Sequence, residues 1–296
     1  MEKPVILIIA DISGYTNFVT SNIETTAHSQ TVIGELVETI IRQVEIPLEV
    51  AKLEGDAVFL YSVKENSDTM SWEEKRRKIG EKLVTFFDAF TKKVVALQMS
   101  TLCECDACRN IHLLRLKIIV HSGRTVFQKI GRFEELGGLD AIIVHRLLKN
   151  SVQSKEYILM TESGYEDIDF PSKIEVRKGR EKYDDVGTFT TFVYYPPAAA
   201  AEHRHHLEEE YQSASFLKRY RAATRWGNTI WIRSFALIVG LKKPGQYRNL
   251  SGEYPLLPRL REALFLILTL PFFAFAKAYK SYVKMRRAEH PSSAAG

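Results

Sequence analysis

Six consecutive apolar residues, Val5 to Ala10, run straight into a carboxylate at Asp11 and then into Ile12-Ser13-Gly14-Tyr15-Thr16. An uninterrupted apolar run of this length reads as a strand buried on both faces, spanning Pro4 to Asp11. The chain must therefore supply a sheet with a covering layer on each side. A carboxylate at the end of a buried strand, followed by a glycine turn, leaves backbone N–H groups beside it. Such amides can hold phosphate oxygens, and a metal on Asp11 can bridge to them.

The rest of the first 197 residues supplies the partners. Ala27 to Val44 has helical spacing, with Ile33, Leu36, Val37, Ile40, Ile41 and Val44 on one face, and Pro47 ends it. Leu48 to Lys52 and Ala57 to Val63 read as two strands joined by Glu54-Gly55-Asp56, a hairpin signal. Ser71 to Met99 is a long amphipathic helix, capped by Ser71 with Glu73 and Glu74 at its positive end. Leu113 to His121 alternates as a strand, Gly123 punctuates it, and Arg124 to Ile130 is expected to pair back. A short helix over Leu139 to Lys149 follows, then strands at Tyr157–Thr161, Ile174–Lys178 and Thr188–Tyr195. The order β-α-β-β-α-β with additions predicts an α+β, ferredoxin-like fold. Two carboxylates converging from neighbouring strands, Asp11 and Asp56, are what a pair of Mg²⁺ ions needs.

Charge separates the chain into two parts. Residues 1–197 carry 25 basic and 29 acidic side chains, whereas residues 198–296 carry 16 and 7, so the net +5 resides in the tail. An acidic front argues against a nucleic-acid partner, and a basic, apolar tail argues for an anionic surface such as a membrane leaflet. Pro196, Pro197 and the alanines at 198–201 mark the boundary between a domain at 1–197 and a helical extension at 198–296. The N-terminal apolar run is too short for a signal peptide, which predicts a cytoplasmic domain.

Asp11-Ile-Ser-Gly-Tyr-Thr resembles the first-strand motif of class III adenylate and guanylate cyclases. Lys52-Leu-Glu-Gly55-Asp56-Ala resembles their hairpin motif, Leu116 to Gly123 their next central strand, and Gly138 to Arg146 the segment carrying second-half residues. The resemblance covers about residues 4–195. The cysteine cluster described below and His145-Arg146-Leu-Leu-Lys-Asn150 are also similar to an uncharacterised bacterial group of cyclase-homology proteins. The resemblance implies ATP as substrate, cyclic AMP and pyrophosphate as products, and two Mg²⁺ or Mn²⁺ ions held by Asp11 and Asp56, with Ile12 in the same ligand set. It implies that Gly14, Tyr15 and Thr16 flank the nucleotide, that Lys52 bonds the purine ring and that Glu135 accepts from the adenine amino group. Arg146 would steady the transition-state phosphate. The family works as a head-to-tail homodimer in which one subunit's metals face the other's Lys52 and Arg146.

Two departures follow from the same alignment. The family's transition-state asparagine falls on Ile142, which cannot donate a hydrogen bond. Its late phosphate-binding lysine has no clean counterpart, Lys178 and Lys182 being the candidates. A catalytically inactive nucleotide-binding sensor or scaffold at a membrane surface is therefore the alternative to an enzyme. Outside the family, Lys52 also reads as a solvated edge-strand lysine and Arg146 as a surface ion pair. His121, in an apolar strand, reads as a satisfied core histidine.

Cys103, Cys105 and Cys108 sit within six residues, with His112 close behind. In a reducing compartment this suggests a structural Zn²⁺ site, although C-x-C departs from the usual zinc spacing; an iron–sulfur site or a metal-free thiol loop stays open. In the tail, Thr229 to Leu241 and Ala263 to Ala276 are too short to span a bilayer, and Lys277, Lys280, Lys284 and Arg287 recur at helical spacing. That pattern suits a helix lying at an anionic membrane surface or a helical subdomain packed on the protein.

Overall fold

The computed structural model describes residues 2–224 apart from 21–25, 68, 101–105, 132, 171–173 and 197–198, together with Tyr279. Strand β1 (Glu2–Ser13) leads to α1 (Tyr15–Thr20) and α2 (Thr26–Gln43), then β2 (Glu49–Glu54), β3 (Ala57–Val63) and α3 (Trp72–Ser100). After α4 (Asp106–Arg109) come β4 (Arg115–Ile130), β5 (Phe133–Gly137), α5 (Leu139–Arg146), β6 (Tyr157–Thr161) and α6 (Glu162–Glu166). Then β7 (Val176–Tyr183), β8 (Gly187–Tyr194) and α7 (Ala199–Ser213) follow.

The strands form one mixed sheet in the order β2-β3-β1-β4-β6-β8-β7, with β5 paired to β4. Its first four strands, β2-β3-β1-β4, are antiparallel throughout. The two helical crossovers, β1-α2-β2 and β3-α3-β4, each join parallel strands with one strand between them. That is the ferredoxin-like plan, a pair of interlocked split βαβ units. It confirms the fold class expected from the motif order. Beyond β4, a parallel pairing to β6 and an antiparallel β8-β7 hairpin extend the sheet.

The centre of the sheet is β1. Val5 to Ala10 are all 0% exposed, which explains an apolar run that lacks polar alternation. Alternate residues Val5, Leu7 and Ile9 join Phe59, Ile119, Leu159 and Val193 in a core covered by Ala141, Ile143 and Val144 of α5 and by Leu147 at its C-cap. Each such buried aliphatic side chain contributes about 1.5–3 kcal/mol. Helix α3 starts with a reciprocal cap: the Glu74 amide donates to Ser71 Oγ at 3.3 Å and the Ser71 amide donates to Glu74 Oε2 at 2.9 Å.

The β4 region corrects the sequence reading. The chain does not turn back at Gly123; one strand of 16 residues runs through it to Ile130, and β5 is the segment that pairs back. Gly123 serves close approach instead. A Cβ there would lie 2.2 Å from the Asp140 carboxyl group. The reversal occurs beyond Ile130, where Gly131 has a φ of 63°.

The chain divides into two compact units. One comprises Met1–Asn17, Ile33–Lys93 and Leu113–Ala201 and holds the sheet; the other comprises Phe18–Val32, Val94–His112 and Glu202–Gly296. Among the described residues no helix is long and apolar enough to cross a membrane. The tail stretches at 229–241 and 263–276 and the cations Lys277, Lys280, Lys284 and Arg287 lie outside the described residues.

Candidate functional site

Register decides which side chains meet. Asp11 stands opposite Ala57 on β3 and opposite Lys117 on β4. It continues the Val5-Leu7-Ile9 series and so shares the α5 face of the sheet. The β2–β3 turn, with Gly55 at φ 70°, sets Asp56 immediately before Ala57 and hence beside Asp11. Burial pushes the Asp56 pKa up from 3.8 to about 6, and the Asp11 charge adds to the rise against a smaller opposing effect of Lys117. The two acids thus converge closely enough to sense each other.

Lys117 Nζ lies 3.0 Å from Asp11 Oδ2, and both side chains are largely buried. It offsets part of the pair's charge. Two hard carboxylate donors in a partly water-excluded place, short of compensating charge, fit Mg²⁺ or Mn²⁺. Ile12 is 1% exposed and its side chain points to the opposite face from Asp11, so only its carbonyl can take part. Among the described residues no group of three or more His, Cys, Asp or Glu side chains gathers as a metal cluster.

Gly14 has a φ of 92°, which favours glycine at the bend out of β1. Tyr15 and Thr16 open α1, a helix of six residues.

A cleft of about 450 Å³ opens on the sheet unit, between the end of β2 and helix α5. Lys52, Glu54, Leu136, Gly138, Ile142, His145, Arg146 and Lys149 line it. Lys52 Nζ is 3.0 Å from Glu54 Oε1 and 3.8 Å from Glu135 Oε2. Glu135 therefore stands near Lys52, but it does not line the cleft; Glu54 does. Burial works to raise the Glu54 pKa, yet hydrogen bonds from Lys52 and His145 outweigh it and hold the carboxyl below its usual range.

His145 has both ring nitrogens on acceptors. Nδ1 is 2.6 Å from the Ala141 carbonyl, and Nε2 is 3.0 and 3.1 Å from the two Glu54 oxygens. The cleft thus carries Lys52, His145, Arg146 and Lys149 around one carboxylate. Arg146 is half exposed and pairs with Asp185 at 2.5 Å. Ile142 is 52% exposed and presents an apolar side chain to the cleft.

The structure brings Asp11 to Asp56, and Lys52 to Glu135 and Arg146, but the acid pair is not part of the cleft lining. Lys178 and Lys182 sit opposite Phe192 and Thr188 on β8, whereas Val193 of β8 belongs to the α5-side core. Both lysines therefore project from the face opposite Asp11. Asn150 is engaged inward, donating 2.8 Å bonds to the Leu147 carbonyl and to Tyr157 Oη. His121 is a core histidine, 5% exposed, as its apolar strand predicted. Cys103 and Cys105 lie outside the described residues; Cys108 is buried, and His112 is exposed with Nδ1 2.8 Å from the Arg109 carbonyl.

Sequence reasoning missed Lys117, Glu54 and His145. Lys117 had no signal beyond strand alternation. Glu54 and His145 were visible as polar residues beside predicted site residues, but 91 positions separate them.

Residues 33–157 match a family described as "Protein of unknown function (DUF2652)". The uncharacterized protein Rv2561/Rv2562 of Mycobacterium tuberculosis (strain ATCC 25618 / H37Rv) is 30% identical over 130 residues, covering 44% of this chain and 57% of that protein. The chain thus matches little more than half of that relative's length. Among solved structures, a bacterial light-regulated adenylyl cyclase is similar at TM-score 0.49 and 14% identity, over 71% of this chain and 58% of that one. The guanylyl cyclase Cya2 is similar at TM-score 0.47 and 12% identity, over 66% and 92%. The adenylyl cyclase CyaB from P. aeruginosa is similar at TM-score 0.47 and 14% identity, over 67% and 96%.

Proposed function

We propose that residues 1–197 form a divergent class III-type nucleotide cyclase domain, which binds ATP with two divalent cations and converts it to cyclic AMP and pyrophosphate. The observation that carries the reading is the convergence of Asp11 and Asp56 from adjacent strands, with burial and mutual repulsion holding the Asp56 proton to about pH 6. Asp11 and Asp56 would hold Mg²⁺ or Mn²⁺, with the Ile12 carbonyl beside them. Divalent cations at such a pair neutralise triphosphate charge and acidify a ribose hydroxyl. This chain's own contribution is placement: Lys52 donates to the base and Arg146 offers charge to the phosphate that reacts. Because the acid pair does not line the cleft of its own chain, the reading calls for a head-to-tail homodimer that apposes one copy's acids to the other's cleft.

A second reading, nucleotide binding without turnover, is favoured by Ile142, the apolar residue in the cleft. Losing one transition-state donor costs about 10²–10³ in rate. One experiment separates the two. Mn²⁺ with ATP should raise the thermal midpoint of the full chain by ligand linkage, and Asp56→Asn should abolish that rise. Ile142→Asn should increase cyclic AMP formation at least tenfold. A rise in midpoint that survives Asp56→Asn would remove the whole reading. A rise without product, even in Ile142→Asn, would leave the binding module.

A further inference from the structure

The outer edge of the sheet carries a charge pattern that the nucleotide reading does not use. Strand β7 is last in the strand order and pairs with β8 along its inner side. Of its eight residues, Arg177, Lys178, Arg180 and Lys182 are exposed cations. Its single acid, Glu181, is turned inward and is 7% exposed; it accepts from the Ser151 amide and hydroxyl at 3.1 and 2.6 Å. None of the four cations makes an ion pair among the described residues. Elsewhere in the same unit, Lys3, Lys64, Lys82, Lys93, Lys117 and Arg146 do, whereas Lys129, Lys149 and Lys155, which lie apart from one another in the sequence, make none among the described residues. Acids stand only at the ends of the row, Glu175 before it and Asp184 and Asp185 in the turn after it, with Asp185 already bound to Arg146. What sets β7 apart is concentration: four exposed, unpaired cations fall on one strand of eight residues in a domain of net −4.

We propose that the outer edge of β7, which no strand pairs among the described residues, is a docking site for an acidic, extended segment of a partner protein, which adds to the sheet as a further strand. An edge strand offers unpaired N–H and C=O groups, and only another peptide backbone matches them as a ladder. Lys178, Arg180 and Lys182 project from one face at alternate positions. An added strand with acidic residues at every second position would place each carboxylate beside one of them. Nucleic acid is the less suitable occupant. Single strands gain affinity by stacking bases on open aromatic rings. The two rings beside the row are already covered: Lys178 Nζ sits 5.6 Å from the Phe192 ring centre, whose other neighbour is stacked Tyr165, and the Arg177 guanidinium sits 5.4 Å from that of Tyr195. The same four cations repel a second copy of β7, which blocks edge-to-edge self-association while admitting an acidic strand.

The test is fluorescence anisotropy on the full chain with a labelled ten-residue peptide alternating Thr and Glu. Binding is expected, weakening as salt screens it. Replacing Lys178, Arg180 and Lys182 together by Gln should weaken it about tenfold, and replacing them by Glu should abolish it, with circular dichroism and thermal midpoint unchanged because all three side chains are exposed. The same peptide N-methylated at alternate residues should bind at least tenfold more weakly. No binding by the Thr–Glu peptide would overturn the proposal and leave the cations as guards against self-association. Equal binding by the N-methylated peptide would overturn strand addition. Equal or tighter binding by a ten-nucleotide oligothymidylate would overturn the choice of partner.

Discussion

Two aspartates of the sheet unit, Asp140 and Asp56, are treated by the fold in opposite ways. Asp140, in the first turn of α5, accepts from the Arg124 amide at 2.6 Å and from His121 Nε2 at 2.9 Å. On its far side His121 Nδ1 meets Thr161 Oγ1 at 2.9 Å, a hydroxyl that also caps α6 by accepting from the Gly164 amide. Burial lowers the His121 pKa against the pull of Asp140, so a neutral ring with its hydrogen on Nε2 satisfies every partner. Asp56 has the reverse environment: burial, and then the Asp11 charge, raise its pKa to about 6 against the weaker pull of Lys117. The first network is complete and leaves no valence for a ligand. The second is short of positive charge, and that shortage marks the place where a cation gains most.

The comparison breaks most visibly on the complete side. Asp140→Ala would strand the buried His121 N–H, whereas the Arg124 amide, at an exposed residue, can turn to water. Leaving a buried donor unpaired costs about 1–3 kcal/mol, so a loss of about 2 kcal/mol in urea unfolding is expected. A loss under about 1 kcal/mol would show that the network is dispensable and that completeness is no guide.

Asp56→Asn should act in the opposite sense and more weakly. In the unfolded chain this group ionises near its ordinary 3.8, and in the fold near 6. Between those values the native state holds the extra proton, so this group's contribution falls as pH rises from about 4 to 6 and stays low above. Allowing for partial solvent access, the span is about 1 kcal/mol. Asp56→Asn should therefore be more stable than the parent at pH 7 and lose that advantage by pH 4. Urea midpoints across this range check it, and a difference independent of pH would refute the assignment.

How far the comparison was legible beforehand differs along the chain. The apolar run Val5–Ala10 can only be a central strand, and from there the alternation of helices and strands leads to the ferredoxin-like order. Asp11, Lys52 and Asp56 stand out because each ends or turns a strand. Register did not show. Nothing in the spacing says that Lys117 falls opposite Asp11, since that depends on how two strands 100 residues apart slide past each other. Gly123 misled because a glycine in a strand signals a turn as readily as a close approach, and the carboxyl group that needs the space arrives from 17 residues downstream. The Glu54–His145 contact had the same obstacle: each residue is ordinary until the hairpin meets α5.

The smallest expected effect tests Lys117, the residue that keeps the two sides of the comparison from differing even more. Its ammonium offsets part of the charge on Asp11. Lys117→Gln keeps hydrogen-bonding capacity and removes only the charge, so the protein alone should lose a few tenths of a kcal/mol to about 1 kcal/mol. The carboxylates would then repel each other with less relief, and Mn²⁺ would compensate more charge than before. The Mn²⁺-induced rise in thermal midpoint should therefore be larger in Lys117→Gln than in the parent, although the starting midpoint is lower. If Lys117 instead merely props the strand, both the starting midpoint and the Mn²⁺ increment would fall together. A fall in both would mean that Asp11 and Asp56 form an ordinary ion-paired corner of the sheet, with no special claim on a divalent cation.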